Sequence, residues 1–310
     1  MTTAFVLSGG GSLGAVQVGM LQALTARGVE PDLLVGTSVG ALNAAYIGGH
    51  GASDRSLEEL AGIWAGLRRR DVFPLQPARL GAAIVGWAPS LCPNGALRRL
   101  IREHLTFERL EDSTIPLHVV ATDVSSGEEV LLSDGDAVDA ILASAAIPAV
   151  FPSVRVAGRD LIDGGVADNA AVSQAVTLGA DVVYVLPTGY ACSLDKPPAA
   201  PLSSALQALT LLIEQRLILE VAHFADLVDI RVLPPLCPLS VSSTDFRHGA
   251  QLIDRARAVA GRWLDEGGPL LPHPERFLSL HRDDDPMDAD PLPAAPDVLT
   301  STRGEHFHDH

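Results

Sequence analysis

Two short apolar runs, Ala4-Phe5-Val6-Leu7 and Leu33-Leu34-Val35, each end at a glycine-containing turn that opens an apolar helical stretch. A strand without polar alternation reads as covered on both faces, the situation in a parallel sheet with helices packed on either side. The stretches that follow fit that arrangement. Leu13, Val16, Met20, Leu21 and Leu24 recur at helical spacing and Gly28 closes the pattern, while Leu42 to Ile47 suits a buried helix. Leu57, Leu60, Ala61, Trp64 and Leu67 form an amphipathic stripe, and Asn94 is placed to cap a helix running to about His104. Further strands are predicted at Leu117–Ala121, Glu129–Leu132, Asp181–Leu186 and Leu227–Val232, with a hairpin over Arg155–Ile162 around Gly158. Helices are predicted over 136–146, Leu202–Ala225 and Leu252–Leu264. This alternation predicts a three-layer α/β/α fold with a mostly parallel central sheet.

Charge and composition narrow the function classes. The 310 residues carry a formal net charge of −16, which repels phosphate backbones and argues against a nucleic-acid partner. It also argues against strong electrostatic docking on anionic lipid. Periodicity vanishes after Gly267 and Pro, Asp and His accumulate, so residues 1–267 are expected to form one domain and 268–310 an acidic, Pro-rich, disordered tail. The His-rich segments of that tail read as solvated chain, and no metal site is expected. Cys92, Cys192 and Cys237 are odd in number and far apart, which suits a reducing, cytoplasmic interior. The start Met1-Thr2-Thr3-Ala4 lacks the basic region of a signal peptide. The uncharged stretches Leu33–Ser53 and Leu80–Leu97 are broken by glycine or proline and do not read as membrane spans. Nothing in the pattern specifies an oligomeric state.

Three motifs carry chemistry. Gly9-Gly10-Gly11-Ser12-Leu13-Gly14 lies between a strand and a helix, where successive backbone N–H groups form an anion site. It suits a phosphate or an oxyanion. The run also satisfies G-x-G-x-x-G through Gly9, Gly11 and Gly14, so a dinucleotide-binding reading stays open. That reading wants an acidic residue at the end of the second strand, where this chain has Gly36-Thr37-Ser38. Gly36-Thr37-Ser38-Val39-Gly40 is a G-x-S-x-G turn between a buried strand and an apolar helix, the context that raises a serine hydroxyl for nucleophilic attack. Asp163, followed by Gly164 and Gly165, places a carboxylate at the end of an apolar strand, where partial desolvation would make it a usable base.

These three motifs, in this order, resemble the patatin-like phospholipase family. The block from Ala143 to Pro152, the run Ala121-Thr122-Asp123 and the pair Asp168-Asn169 agree with it, and the resemblance covers about residues 4–188. It implies a serine acyl hydrolase with a Ser38–Asp163 dyad and no catalytic histidine. Gly10, Gly11 and Ser12 would supply the oxyanion-hole N–H groups, supported by Gly9, Gly14, Gly36, Gly40, Gly164 and Gly165. It further implies carboxylic esters, above all of lipids, as substrates, transient contact with a membrane surface, and no cofactor. Many relatives carry Arg or Lys in the glycine run where this chain has Leu13, so a catalytically weak, lipid-binding role is a further reading. A Ser–Asp–His triad would need His223, His248 or His273, but its serine turn normally comes later in the sheet. The Pro- and Gly-rich connection Val72–Pro93, with Phe73, Leu75, Leu80, Ile84, Val85, Trp87 and Leu91, is expected either to cover an acyl pocket or to be an ordinary packed loop.

Overall fold

The computed structural model describes residues 1–278 apart from 75, 85–86, 189–200, 237–238 and 240. The strands are β1 (Thr3–Leu7), β2 (Leu33–Thr37), β3 (Leu117–Asp123), β4 (Glu129–Leu132), β5 (Val154–Val156), β6 (Arg159–Asp163), β7 (Val182–Leu186) and β8 (Asp229–Val232). They form one sheet in the order β5-β6-β3-β2-β1-β7-β8, with β4 also paired to β3. The run from β3 to β8 is parallel, and β4, β5 and β6 pair antiparallel.

The helices are α1 (Gly14–Thr25), α2 (Val39–His50), α3 (Asp54–Gly66), α4 (Arg69–Val72), α5 (Pro77–Ile84), α6 (Gly95–His104), α7 (Ala137–Ser144), α8 (Val172–Thr177), α9 (Pro201–Phe224) and α10 (Gly249–Asp265). Side chains alternate across the sheet. Phe5, Leu7, Leu34 and Tyr184 join a core built with α1, α2, α3, α6, α7 and α10. Ala4, Val6, Val35 and Val183 join the opposite core, with α8 and α9. Each fully buried Leu, Val or Phe contributes about 1.5–3 kcal/mol, so the two-sided burial explains why these strands are almost wholly apolar between their ends.

Local signals act as their chemistry requires. α1 ends where the Gly28 N–H bonds the Thr25 carbonyl (2.9 Å) and the Val29 N–H bonds that of Leu24 (3.1 Å). Gly28 itself takes a φ of +69°. Ser53 and Ser56 cap α3 reciprocally. Asn94 occupies the position before α6, but its side chain makes no capping bond. The connection after Val72 contains a helix, α5, with Pro77 at its first position. The described chain also continues past the expected boundary at Gly267. Two 3-10 turns, Gly268–Leu270 and Pro274–Leu278, follow, and Leu278 is buried in the α8–α9 core. The remainder of the expected tail lies outside the described residues. Among the described residues no helix is long and apolar enough to cross a membrane.

The sheet register positions the site. β2 pairs with β3 as far as Thr37 opposite Val120, and β6 begins its pairing with Asp163 opposite Ala121. β4 pairs Val119 through Thr122, overlapping both β2 and β6, so it occupies the other edge of β3. β2 and β6 therefore share one edge and meet end to end, with Ser38 leaving one strand where Asp163 ends the other.

Candidate active site

Ser38 sits between the last residue of β2 and the first of α2, with φ 55° and ψ −121°. Such a conformation costs an L-residue about 1–3 kcal/mol and persists only where the surroundings impose it. Its N–H donates to Ser144 Oγ (2.7 Å) and its carbonyl accepts from Ala41 (3.0 Å). The flanking glycines allow close packing. A side chain at Gly40 would collide with the Leu7 carbonyl, and a Cβ at Gly36 would lie 2.6 Å from the Ala41 Cα.

The Ser38 hydroxyl donates to Asp163 Oδ2 at 2.6 Å. Asp163 Oδ1 accepts the Gly165 N–H at 2.9 Å, and a side chain at Gly164 would strike the Val120 carbonyl. Thr122 Oγ1 donates to the Asp163 carbonyl (2.9 Å) and accepts the Ala167 N–H (3.1 Å), which fixes the turn. Both side chains are buried, Ser38 at 6% exposure and Asp163 at 7%. Burial pushes the Asp163 carboxyl up to about 6, against the opposing pull of the bonds from Ser38 and Gly165. A carboxylate so placed is a better proton acceptor near neutral pH than one in water.

The glycine turn lies against this pair, since a Cβ on Gly9 would stand 3.0 Å from Ser38 Cβ. The Gly9 N–H donates to Asn169 Oδ1 (2.9 Å), and its carbonyl accepts from Thr188 Oγ1 (2.6 Å). Behind the turn runs a buried relay. Trp64 Nε1 donates to Asn43 Oδ1 (3.0 Å), and Asn43 Nδ2 to Gln17 Oε1 (2.9 Å) and the Gly14 carbonyl (3.0 Å). Gln17 Nε2 in turn donates to the Ser8 carbonyl (2.8 Å). Among the described residues the Gly10 and Gly11 N–H groups have no acceptor. Gly11 holds φ +61°, and a Cβ there would collide with the Ser243 carbonyl.

Ser12 differs from Gly10 and Gly11 in this structure. Its N–H donates to the Ser243 carbonyl (2.7 Å) and its hydroxyl to that of Ser242 (3.0 Å), so this amide is engaged by the chain leading to α10. The three candidate histidines sit elsewhere. His248 lies 3.7 Å from Asp245, His273 lies 3.3 Å from Glu275, and His223 packs edge-on against Phe224. Gln17, Asn43, Trp64 and Thr188 were not singled out as site residues from sequence. A polar side chain within each of two apolar helices, Gln17 and Asn43, was the available signal.

Ser38 lines an apolar pocket, half open to solvent, whose wall includes Gly11, Leu42, Trp64, Phe73, Phe151 and Phe246. Of the 72–93 connection, Val72 and Phe73 reach this wall. Trp87, 86% exposed, and Leu91 do not. Leu75 and Val85, and the side chains of Leu80 and Ile84, lie outside the described residues.

An uncharacterized NTE family protein of Mycobacterium tuberculosis is 31% identical over 202 residues, covering 65% of this chain and 51% of that protein. Lysophospholipase nte1 of Emericella nidulans is 29% identical over 187 residues, covering 59% of this chain and 12% of that protein. This chain thus spans about half the length of the mycobacterial relatives it matches. The crystal structure of VipD from Legionella pneumophila aligns with a TM-score of 0.42 at 16% identity, over 86% of this chain and 67% of that one. The sequence pattern of the family described as patatin-like phospholipase matches residues 5–176, and the chain belongs to that family.

Proposed function

We propose that this chain is a serine acyl hydrolase that cleaves carboxylic esters of lipids through a Ser38–Asp163 dyad. The observation that carries this is the 2.6 Å hydrogen bond from Ser38 Oγ, on the wall of an apolar pocket, to a carboxylate that burial makes more basic. Ser38 Oγ attacks the acyl carbonyl as Asp163 takes its proton. The Gly10 and Gly11 N–H groups receive the oxyanion, and each such donor is worth on the order of 100- to 1000-fold in turnover. Collapse expels the alcohol, which takes the proton back from Asp163. Water then attacks the acyl-serine with Asp163 as base, releasing the acid and restoring the hydroxyl.

The pocket wall favours this over a phosphate-binding reading, because no Lys, Arg or His is among its lining residues to pair an anion. The named lysophospholipase relative supports a lipid ester as substrate. A fluorophosphonate probe should label the wild type and not Ser38→Ala, and Asp163→Asn should stay folded with turnover lost. Labelling that persists in Ser38→Ala, or turnover that survives Asp163→Asn, would refute the dyad.

A further inference from the structure

The dipeptide Asp168-Asn169 touches all three motif turns. Thr37 Oγ1, one residue before Ser38, donates to the Asp168 carbonyl (3.4 Å). The Asp168 N–H donates to the carbonyl of Gly164 (2.8 Å), one residue after Asp163. Asn169 Oδ1 accepts the N–H of Gly9 (2.9 Å), one residue before Gly10. A shift of this dipeptide therefore reaches the serine turn, the carboxylate turn and the glycine turn together.

The Asp168 side chain, 1% exposed, has no part in the hydrolytic steps. Its Oδ1 accepts the Ala170 N–H (3.2 Å), while its Oδ2 is buried without a hydrogen-bond partner. One oxygen of Glu129, on β4, and one of Glu220, on α9, are buried and unpartnered in the same way. The other Glu220 oxygen accepts the Ser173 N–H (2.8 Å). The cation facing Asp168 is Arg216 of α9, itself more than half exposed, with Nη2 at 3.9 Å from Oδ2. Three ionised carboxylates against one solvated guanidinium would leave charge uncompensated in a buried place. Among the described residues no acidic group is arranged to hold a metal ion, so a proton is what relieves the charge. Asp168 is the one to hold it. Burial first, then the charges of Glu220 and Glu129, push its carboxyl up to about 8, against Arg216 and the Ala170 N–H. Burial pushes the Glu129 carboxyl up as well, against a hydrogen bond from Gln174.

We propose that Asp168 is a positioning residue of the active site that works as a neutral carboxyl, and that losing its proton in mildly alkaline solution unseats Asn169 and the glycine turn. This rests on the acyl-hydrolase reading and adds a regulation to it: turnover is limited on the acid side by Asp163 and on the alkaline side by a group that never meets the substrate. The neutral carboxyl carries a donor in a place where the unpartnered atoms are all acceptors. Once ionised, Asp168 adds a third set of acceptors and is repelled by Glu129 and Glu220, and the backbone of 168–169 carries that strain to the three turns.

The test is kcat/KM of the full chain on p-nitrophenyl butanoate from pH 6.5 to 9.5, with thermal melts at pH 5 and 9, in the wild type and in Asp168→Asn. The amide keeps the shape of the neutral carboxyl and its ability to donate. The wild-type value should fall at least about fivefold from pH 7.5 to 9.5, whereas in Asp168→Asn the two values should agree within about twofold. Between 3.8 and about 8 the folded wild type holds a proton that the unfolded chain has released, so its stability falls as pH rises through that window. Asp168→Asn lacks that loss, and its melting temperature relative to the wild type should rise by at least about 3 °C from pH 5 to pH 9. A wild-type profile level to pH 9.5, an alkaline fall of equal size in Asp168→Asn, or a melting difference that does not change with pH overturns the proposal. So does an Asp168→Asn chain that fails to fold at neutral pH, since it reproduces the neutral form. Butanoate turnover that is absent, or that survives Ser38→Ala, overturns the hydrolase reading instead, and the melts then still decide whether Asp168 holds the proton.

Discussion

The position of Asp163 sets a pH dependence for both turnover and stability, with opposite consequences. Burial raises its carboxyl from an ordinary 3.8 to about 6. Only the ionised form can take the Ser38 proton, and at pH 5 about a tenth of the sites are ionised. The rate constant kcat/KM on a short ester should rise about tenfold per pH unit up to 6 and then level. The stability sign follows from proton counting. Between 3.8 and about 6 the folded state holds a proton that the unfolded state has released, so unfolding free energy falls as pH rises through that window. The full shift amounts to about 3 kcal/mol lost by neutral pH. Asp163→Asn removes this ionisation but forfeits one acceptor, for Ser38 or for Gly165, at about 1 kcal/mol. The variant should be more stable than the wild type at pH 7.5 by about 1–2 kcal/mol, a rise in Tm of a few degrees for a chain this size. The gain should vanish toward pH 4. Initial rates across pH 4.5–8 and calorimetric melts at pH 4 and 7.5 read both effects. A pH–rate profile flat from 5 to 7.5, or a variant melting below the wild type at pH 7.5, would refute the reasoning.

Gly11→Ala adds a Cβ at a positive φ and against the Ser243 carbonyl, so kcat should fall about 100-fold or more by displacement of the amides, with a stability loss of about 1–3 kcal/mol, read by kinetics and urea melts. Asn43→Leu leaves the Trp64 N–H, the Gln17 amide oxygen and the Gly14 carbonyl without their partner, and should cost about 2–4 kcal/mol in urea unfolding and lower kcat on short esters. An Asn43→Leu protein as stable and as active as the wild type would show that the relay does not hold the glycine turn.

The local half of the architecture was legible because its causes are local. The apolar runs of β1 and β2 announce two-sided burial, Gly28 ends α1 with the bonds its type permits, and the stripe from Leu57 to Leu67 marks α3. The motif residues Ser38 and Asp163 also stood out, one on a glycine-flanked turn and one before Gly164. What could not be read was the long-range register. That Asp163 faces Ser38 follows from both strands sharing one edge of β3, a matter of pairings between distant segments. The partners of Ser12 were out of reach for the same reason: the carbonyls that engage it belong to Ser242 and Ser243, far along the chain. The helix α5 lies inside the connection Val72–Pro93, whose proline and glycine content reads as loop, yet Pro77 at a first helical position opens a helix without losing a bond.

Leu13 is an uncharged member of the glycine turn. Its side chain is fully buried in the core against α1's neighbours, where an unpaired charge would be prohibitive. The work of ordering the turn passes instead to neutral groups: Gln17, Asn43 and Trp64 from the core side, Asn169 and Thr188 from across the sheet. The pocket beyond is equally uncharged. If Gly10 and Gly11 act as proposed, an oxyanion site made only of amide dipoles would stabilise charge as it develops on the carbonyl and gain little from charge the substrate brings with it. The hydrolase proposed above would therefore select by the acyl chain, where the apolar walls are, rather than by an anionic head group.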